Sequence, residues 1–120
     1  MTLPRIVRFL ETSDAPGSSC PHCGAEGRYI LRFRVEDGRE LGAMRGCVKL
    51  FPSSLIAHED LRLRDKEIRL KKSYGPQAAL NRADRAAMDA IEAFYAGAGS
   101  ERTALSLTDS AKCANARKYR

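Results

Sequence analysis

Cys20 and Cys23, separated by two residues and followed at once by Gly24, constrain this chain more than any other feature. A third cysteine, Cys47, stands 24 residues after Cys23 and is preceded by Gly46. A Cys-x2-Cys-Gly segment suits a tight knuckle, in which the backbone turns so that two thiolates face one ion. Cys-Pro-His-Cys is also the dithiol sequence of strongly oxidising thioredoxin-like proteins. That chemistry needs the first cysteine at a helix N-terminus, following a buried strand, where the helix dipole stabilises the thiolate. Here the motif follows a polar loop and runs into Gly24, Gly27 and a strand, so the sequence favours zinc over redox chemistry.

Zinc takes four ligands, and His58, in the helix expected soon after Cys47, is the leading candidate for the fourth. His22 lies inside the knuckle, where such a residue usually points away from the metal. Cys113 lies far along the chain among alanines and reads as a small buried apolar residue. Three thiolates and one imidazole leave no open coordination position, which makes the metal structural rather than catalytic.

The chain has 120 residues, enough for one domain with a modest core. It lacks Trp and has only 7% aromatic residues, so the core leans on Leu, Ile, Val and Ala, and a metal staple is physically useful. The N-terminal segment MTLPRIVRFLE is too short and too interrupted for a signal-peptide core, and no stretch approaches the ~20 apolar residues that span a bilayer. A protein without membrane association, in a reducing intracellular compartment, is the expectation, and there cysteines serve as ligands or free thiols rather than as disulfides.

Along the chain, the apolar segment around Ile6 to Leu10 reads as a first strand and residues 12–19 (TSDAPGSS) as a loop. Residues 28–35 alternate strictly enough to predict a strand that buries Tyr29, Leu31, Phe33 and Val35 and turns Arg28, Arg32 and Arg34 outward. Asp37-Gly38 signals a hairpin, and residues 39–45 form the return strand. Pro52-Ser53-Ser54 marks a helix entry, and residues 55–72 predict a helix with apolar residues on two faces; two short strands are the rival reading. Asn81, with Asp84 three residues on, predicts a helix cap, Gly97 its stop, and Ser100 a last helix ending in a basic tail.

The architecture expected is therefore α+β: a zinc knuckle with a β-hairpin, in the order of zinc ribbons and treble clefs, followed by two or three helices. Residues 1–98 would form a single zinc-stabilised domain, with residues 99–120 as a C-terminal helix and tail. No catalytic constellation or phosphate loop is present, and the glycines of AGAGS read as a helix stop, so the chain is not expected to be an enzyme.

A net charge of +6 favours an acidic partner, either nucleic acid or an acidic protein surface. Two basic rows could contact phosphates: Arg28, Arg32 and Arg34 on the hairpin, and Arg62, Lys66 and Arg69 on the 55–72 helix. Each row can equally be an ordinary solvated face, since Glu59, Asp60, Asp65 and Glu67 are interspersed with the second. The second apolar stripe of the 55–72 helix admits a homodimer seam.

CPHCGAEGRYI, GAMRGCVKLFP and AIEAFYAG together resemble segments of small uncharacterised zinc-finger-like proteins encoded by bacteriophages of high-GC bacteria. The likeness covers about residues 20–97. It implies a phage accessory protein acting inside a bacterial host and carries no activity with it. The leading expectation is a zinc-stabilised, nucleic-acid-associated regulatory protein; the alternative is a protein-binding inhibitor or adaptor acting on a host enzyme or defence complex.

Overall fold

The computed structural model describes residues 2–118. Its order is β1 (Ile6–Ser19), β2 (Glu26–Val35), β3 (Glu40–Ala43), α1 (Arg45–Val48), α2 (Leu55–Tyr74), α3 (Arg82–Tyr95) and α4 (Glu101–Lys118). The strands form one antiparallel sheet in the order β1-β2-β3, so the fold is α+β, as its residues predict. The chain divides into two compact units, Met1–Ala57 and His58–Arg120. The division falls inside α2.

In the first unit, β2 is the strand read from alternation. Leu31, Phe33 and Val35 are buried and Tyr29 is half-buried, while Arg28 and Arg32 are exposed and Arg34 half-buried. Ile30 breaks the pattern: it is buried on the arginine face, where its side chain lies near Gly42. The turn after β2 is closed by the Gly38 N–H donating to the Val35 carbonyl at 2.9 Å. Gly38 has φ +92°, a conformation that costs other residues strain.

Two expectations are corrected. Residues 12–19 are not a loop: β1 continues through them, pairing Thr12 with Leu31, Ser13 with Ile30 and Asp14 with Tyr29. The pairing then skips from Asp14 to Ser18, so Ala15, Pro16 and Gly17 are accommodated at a register shift, where a proline's missing N–H does no harm. A turn-like composition here marks a bulge rather than the end of a strand. The return strand is also shorter than expected. β3 stops at Ala43, and Arg45, expected as the strand's last residue, instead opens the single turn of α1, which carries Cys47.

The core of this unit is built around Phe33, whose ring meets Phe9 edge-on at 6.1 Å and Phe51 at 5.0 Å. Ile6, Leu31, Val35, Ala43 and Val48 are buried as well. The Ile6 N–H donates to the Pro52 carbonyl at 2.8 Å, tying the start of β1 to the segment that leads into α2.

Residues 55–72 are helical, as preferred over two strands, and Ser54 accepts from the Ala57 N–H at 3.2 Å at the helix entry. The cap on α3 is where the sequence puts it: the Asn81 side chain accepts from the Asp84 N–H at 2.9 Å. Ser100 plays the same part for α4, accepting from Thr103 at 3.1 Å. Among the buried residues of the helical unit are Leu61, Leu63, Leu80, Ala87, Ile91, Ala104 and Ala111, together with four acids, Glu59, Asp60, Asp65 and Asp84. Asp84 is fully buried and holds three helices together. It is salt-bridged to Lys66 of α2, accepts from Asn115 of α4 at 3.1 Å, and stands one turn from Asn81, which also donates to Asn115. No described helix is long and apolar enough to cross a membrane.

Candidate metal centre

The sulfurs of Cys20, Cys23 and Cys47 all lie within 4.8 Å of one another. A tetrahedral zinc with bonds of about 2.3 Å needs sulfurs about 3.8 Å apart, so small side-chain adjustments close these three around one ion. Local backbone explains how they meet. The Gly24 N–H donates to the Cys20 carbonyl at 2.8 Å, and the Cys20 N–H to the Ala25 carbonyl at 2.8 Å, which folds the knuckle back on itself. Gly24 has φ +77°, so a side chain at this position would strain the turn. β2 and β3 then return the chain, and α1 sets Cys47 beside the knuckle.

Cys20 is the anchor. Its side chain is buried, and its sulfur accepts the Met44 N–H at 3.2 Å and backbone N–H groups of Cys23 and His22. Burial works against the Cys20 thiolate, but these donors and the Cys23 thiol outweigh it and lower the pKa to about 7. Cys47 is pushed up to about 12 by its hydrogen bond to Cys23, by burial and by Cys20. Three sulfurs this close cannot all carry charge cheaply, and a divalent soft-metal cation is the partner that removes the repulsion. Cys23 is exposed and Cys47 half-buried, so the cluster sits at the protein surface rather than in the core.

Among the described residues, three cysteines make up the whole group of His, Cys, Asp and Glu ligand atoms at this spacing. His58, the expected fourth ligand, is exposed on α2 in the second unit. His22 has its ring edge-on against Phe51, with centroids 5.3 Å apart, which continues the aromatic chain from Phe33 to the knuckle. Cys113 is exposed on α4, not buried as its alanine neighbours suggest, because it lies on the side of the helix opposite the buried Thr108 and Ala111.

Both basic rows form as faces, and both are engaged. Arg28 binds Asp14 at 2.7 Å, Arg32 bridges Glu11 at 2.7 Å and Glu40 at 3.2 Å, and Arg34 reaches Glu40 at 3.2 Å. On α2, Arg62 pairs with Glu59 at 2.8 Å, Lys66 with Asp84, and Arg69 loosely with Asp65 at 3.8 Å. The carboxylates that answer the hairpin row come from β1 and β3. Glu11 and Asp14 could not be placed opposite Arg32 and Arg28 while residues 12–19 read as a loop; a strand continued through the Ala15-Pro16-Gly17 bulge is the signal that would have found them.

Comparison of the chain with protein-family models, curated proteins and solved structures finds no match in any of the three.

Proposed function

We propose that this chain is a zinc-stabilised, nucleic-acid-associated regulatory protein in which the metal is structural. Convergence of three cysteine sulfurs, with backbone N–H groups aimed at the innermost, supports the metal. Thiolates select zinc over harder cations, and a site fed by a knuckle, a hairpin and one helical turn would fix the register of the whole sheet. His58 remains the proposed fourth ligand from the sequence. The resemblance to phage-encoded zinc-finger-like proteins would place such a module inside a bacterial host cell.

The nucleic-acid reading is carried by the cations left over once the ion pairs are made. Arg5, Lys49, Lys72, Arg82, Arg85 and Arg102 are exposed and have no carboxylate partner among the described residues, in a chain of net charge +6. The paired hairpin arginines can contribute too, because exposed ion pairs are worth only ~0–1 kcal/mol and can be exchanged for phosphate contacts. Titrating labelled DNA and RNA strands at low salt, then raising the salt, is the test. The reading expects binding whose log affinity falls linearly with log salt. Background affinity for every strand at low salt would contradict it.

A protein-binding inhibitor or adaptor is the second reading, favoured by one observation. Leu50 and Leu55 are 65% and 69% exposed in the first unit, on either side of the entry to α2. Large aliphatic side chains left this open suit a protein partner or a second copy of the chain. Replacing both by Ser would abolish such a contact and leave nucleic-acid binding intact.

A further inference from the structure

The helical unit has two chemically different ends. The α2 residues Arg64 and Lys66 reach Glu92 and Asp84 of α3 in reverse order, and Asn115 near the end of α4 meets Asn81 and Asp84 at the start of α3. Lys112 of α4 pairs with Glu59 near the start of α2, so the last turns of α4 lie toward the N-terminal half of α2. Residues 75–81 link the C-terminal end of α2 directly to the N-terminal end of α3. Residues 68–83, which span that connection, contain Arg69, Lys71, Lys72 and Arg82 and no Asp or Glu. The opposite end, residues 89–103, carries Asp89, Glu92 and Glu101 against Arg102 alone.

The basic end is also uncommitted. Lys72, Arg82 and Arg85 are exposed and have no ion-pair partner among the described residues, and Lys71 reaches Glu67 only at 3.5 Å. At the last residue of α2, two positions after Lys72, Tyr74 is 73% exposed, the most open large apolar side chain among the described residues. An aromatic ring left in water costs solvation and gains nothing for the fold, but it is what a nucleobase stacks on.

We propose that this end of the helical unit binds single-stranded nucleic acid, with Lys71, Lys72, Arg82 and Arg85 tracking phosphates and Tyr74 stacking on a base. The inference rests on the nucleic-acid reading above and moves the main binding surface from the neutralised arginine rows to the helix ends. Single strands are specified by the ring, since bases in a duplex are stacked on one another and offer no free face. Neighbouring cations account for affinity without sequence preference.

The test is fluorescence anisotropy of labelled oligothymidylate, and of a duplex of equal length, with the full chain and its variants. The Lys72→Ala/Arg82→Ala/Arg85→Ala protein is expected to lose at least tenfold in affinity for the single strand. Its salt dependence should be shallower by about 0.7 for each phosphate that is no longer neutralised. Tyr74→Ala is expected to lose roughly fivefold or more on the single strand and nothing on the duplex, while Tyr74→Phe retains wild-type affinity. The Arg28→Ala/Arg32→Ala/Arg34→Ala protein is expected to lose less affinity than the helix-end triple variant, since these arginines must first give up Asp14, Glu11 and Glu40. If this last variant loses binding and the helix-end variants do not, the assignment is overturned while the nucleic-acid reading stands. Equal affinity for duplex and single strand, unmoved by Tyr74→Ala, also overturns it. No binding by the wild-type chain at low salt, or binding only to anionic phosphatidylglycerol vesicles, removes both.

Discussion

The two units of this protein solve the same problem by different chemistry. The first surrounds Phe33 with aromatic and aliphatic groups, and among its described residues the cysteine trio is the dense cluster of reactive groups. The second places four acids, Glu59, Asp60, Asp65 and Asp84, among its buried residues and answers Asp84 with Lys66 and Asn115. A chain without Trp and with few aromatics has little apolar area to bury. One half brings together three cysteines that could hold a metal ion, the other holds charge pairs among its buried residues. The lesson is that basic residues in such a chain need not be a binding surface. Arg64, for example, commits both ends of its guanidinium to Asp60 and Glu92, at 2.8 and 2.9 Å.

The largest expected effect falls on the first unit. Stripping metal with a chelator should remove hydrogen-exchange protection from the knuckle, β3 and α1, because structural zinc contributes on the order of 10 kcal/mol of apparent folding free energy in small zinc domains. The helical unit should keep its protection under the same treatment. Simultaneous loss from both units would break the comparison.

Next comes the pair of buried Asp84 with half-buried Lys66. Asp84→Ala leaves the half-exposed Lys66 ammonium and the Asn115 amide without their partner and should destabilise the protein by about 1–3 kcal/mol in denaturant unfolding. Replacing both groups, Lys66→Met with Asp84→Leu, should recover part of that loss, since an apolar pair needs no desolvation of charge. A single-site loss below about 1 kcal/mol would show that Asp84 is not truly buried.

A smaller effect appears with acid. Burial raises the Glu59 pKa, but hydrogen bonds from Lys112 and Arg62 outweigh it and hold the carboxyl below its ordinary range. A lowered folded-state pKa adds stability that is fully present above the unfolded value of about 4.3 and is lost as pH falls through the lower folded value. Melting temperature should therefore decline in acid, and Glu59→Gln should flatten that decline. The smallest effect belongs to the exposed pairs: Arg28→Ala, which frees Asp14, should change stability by less than about 1 kcal/mol.

What the sequence revealed and what it hid divides along the same physical line. Features set by neighbours in the chain were legible. The Cys20-to-Cys23 knuckle, the alternation through Leu31, Phe33 and Val35, the Asn81 cap and the helical character of residues 55–72 depend on a few adjacent residues. Features set by distant partners were not. The pairing of Asp14 with Arg28 requires β1 to continue past a proline, and the burial of Asp84 depends on Lys66 and Asn115, far from it in the chain. Cys113 failed for the same reason, since alanine neighbours do not say which side of α4 is covered. At the candidate site the three cysteines could be read from spacing, whereas the Met44 donor to Cys20 and the packing of His22 on Phe51 could not.

The most direct test of a metal holding the first unit together is native mass spectrometry of the chain expressed without added metal, compared with Cys47→Ser. One zinc per chain, with all four thiols reduced and the ion lost or weakened in Cys47→Ser, is the predicted result. A metal-free protein in which Cys20 and Cys23 are joined as a disulfide, unchanged by the substitution, would contradict it.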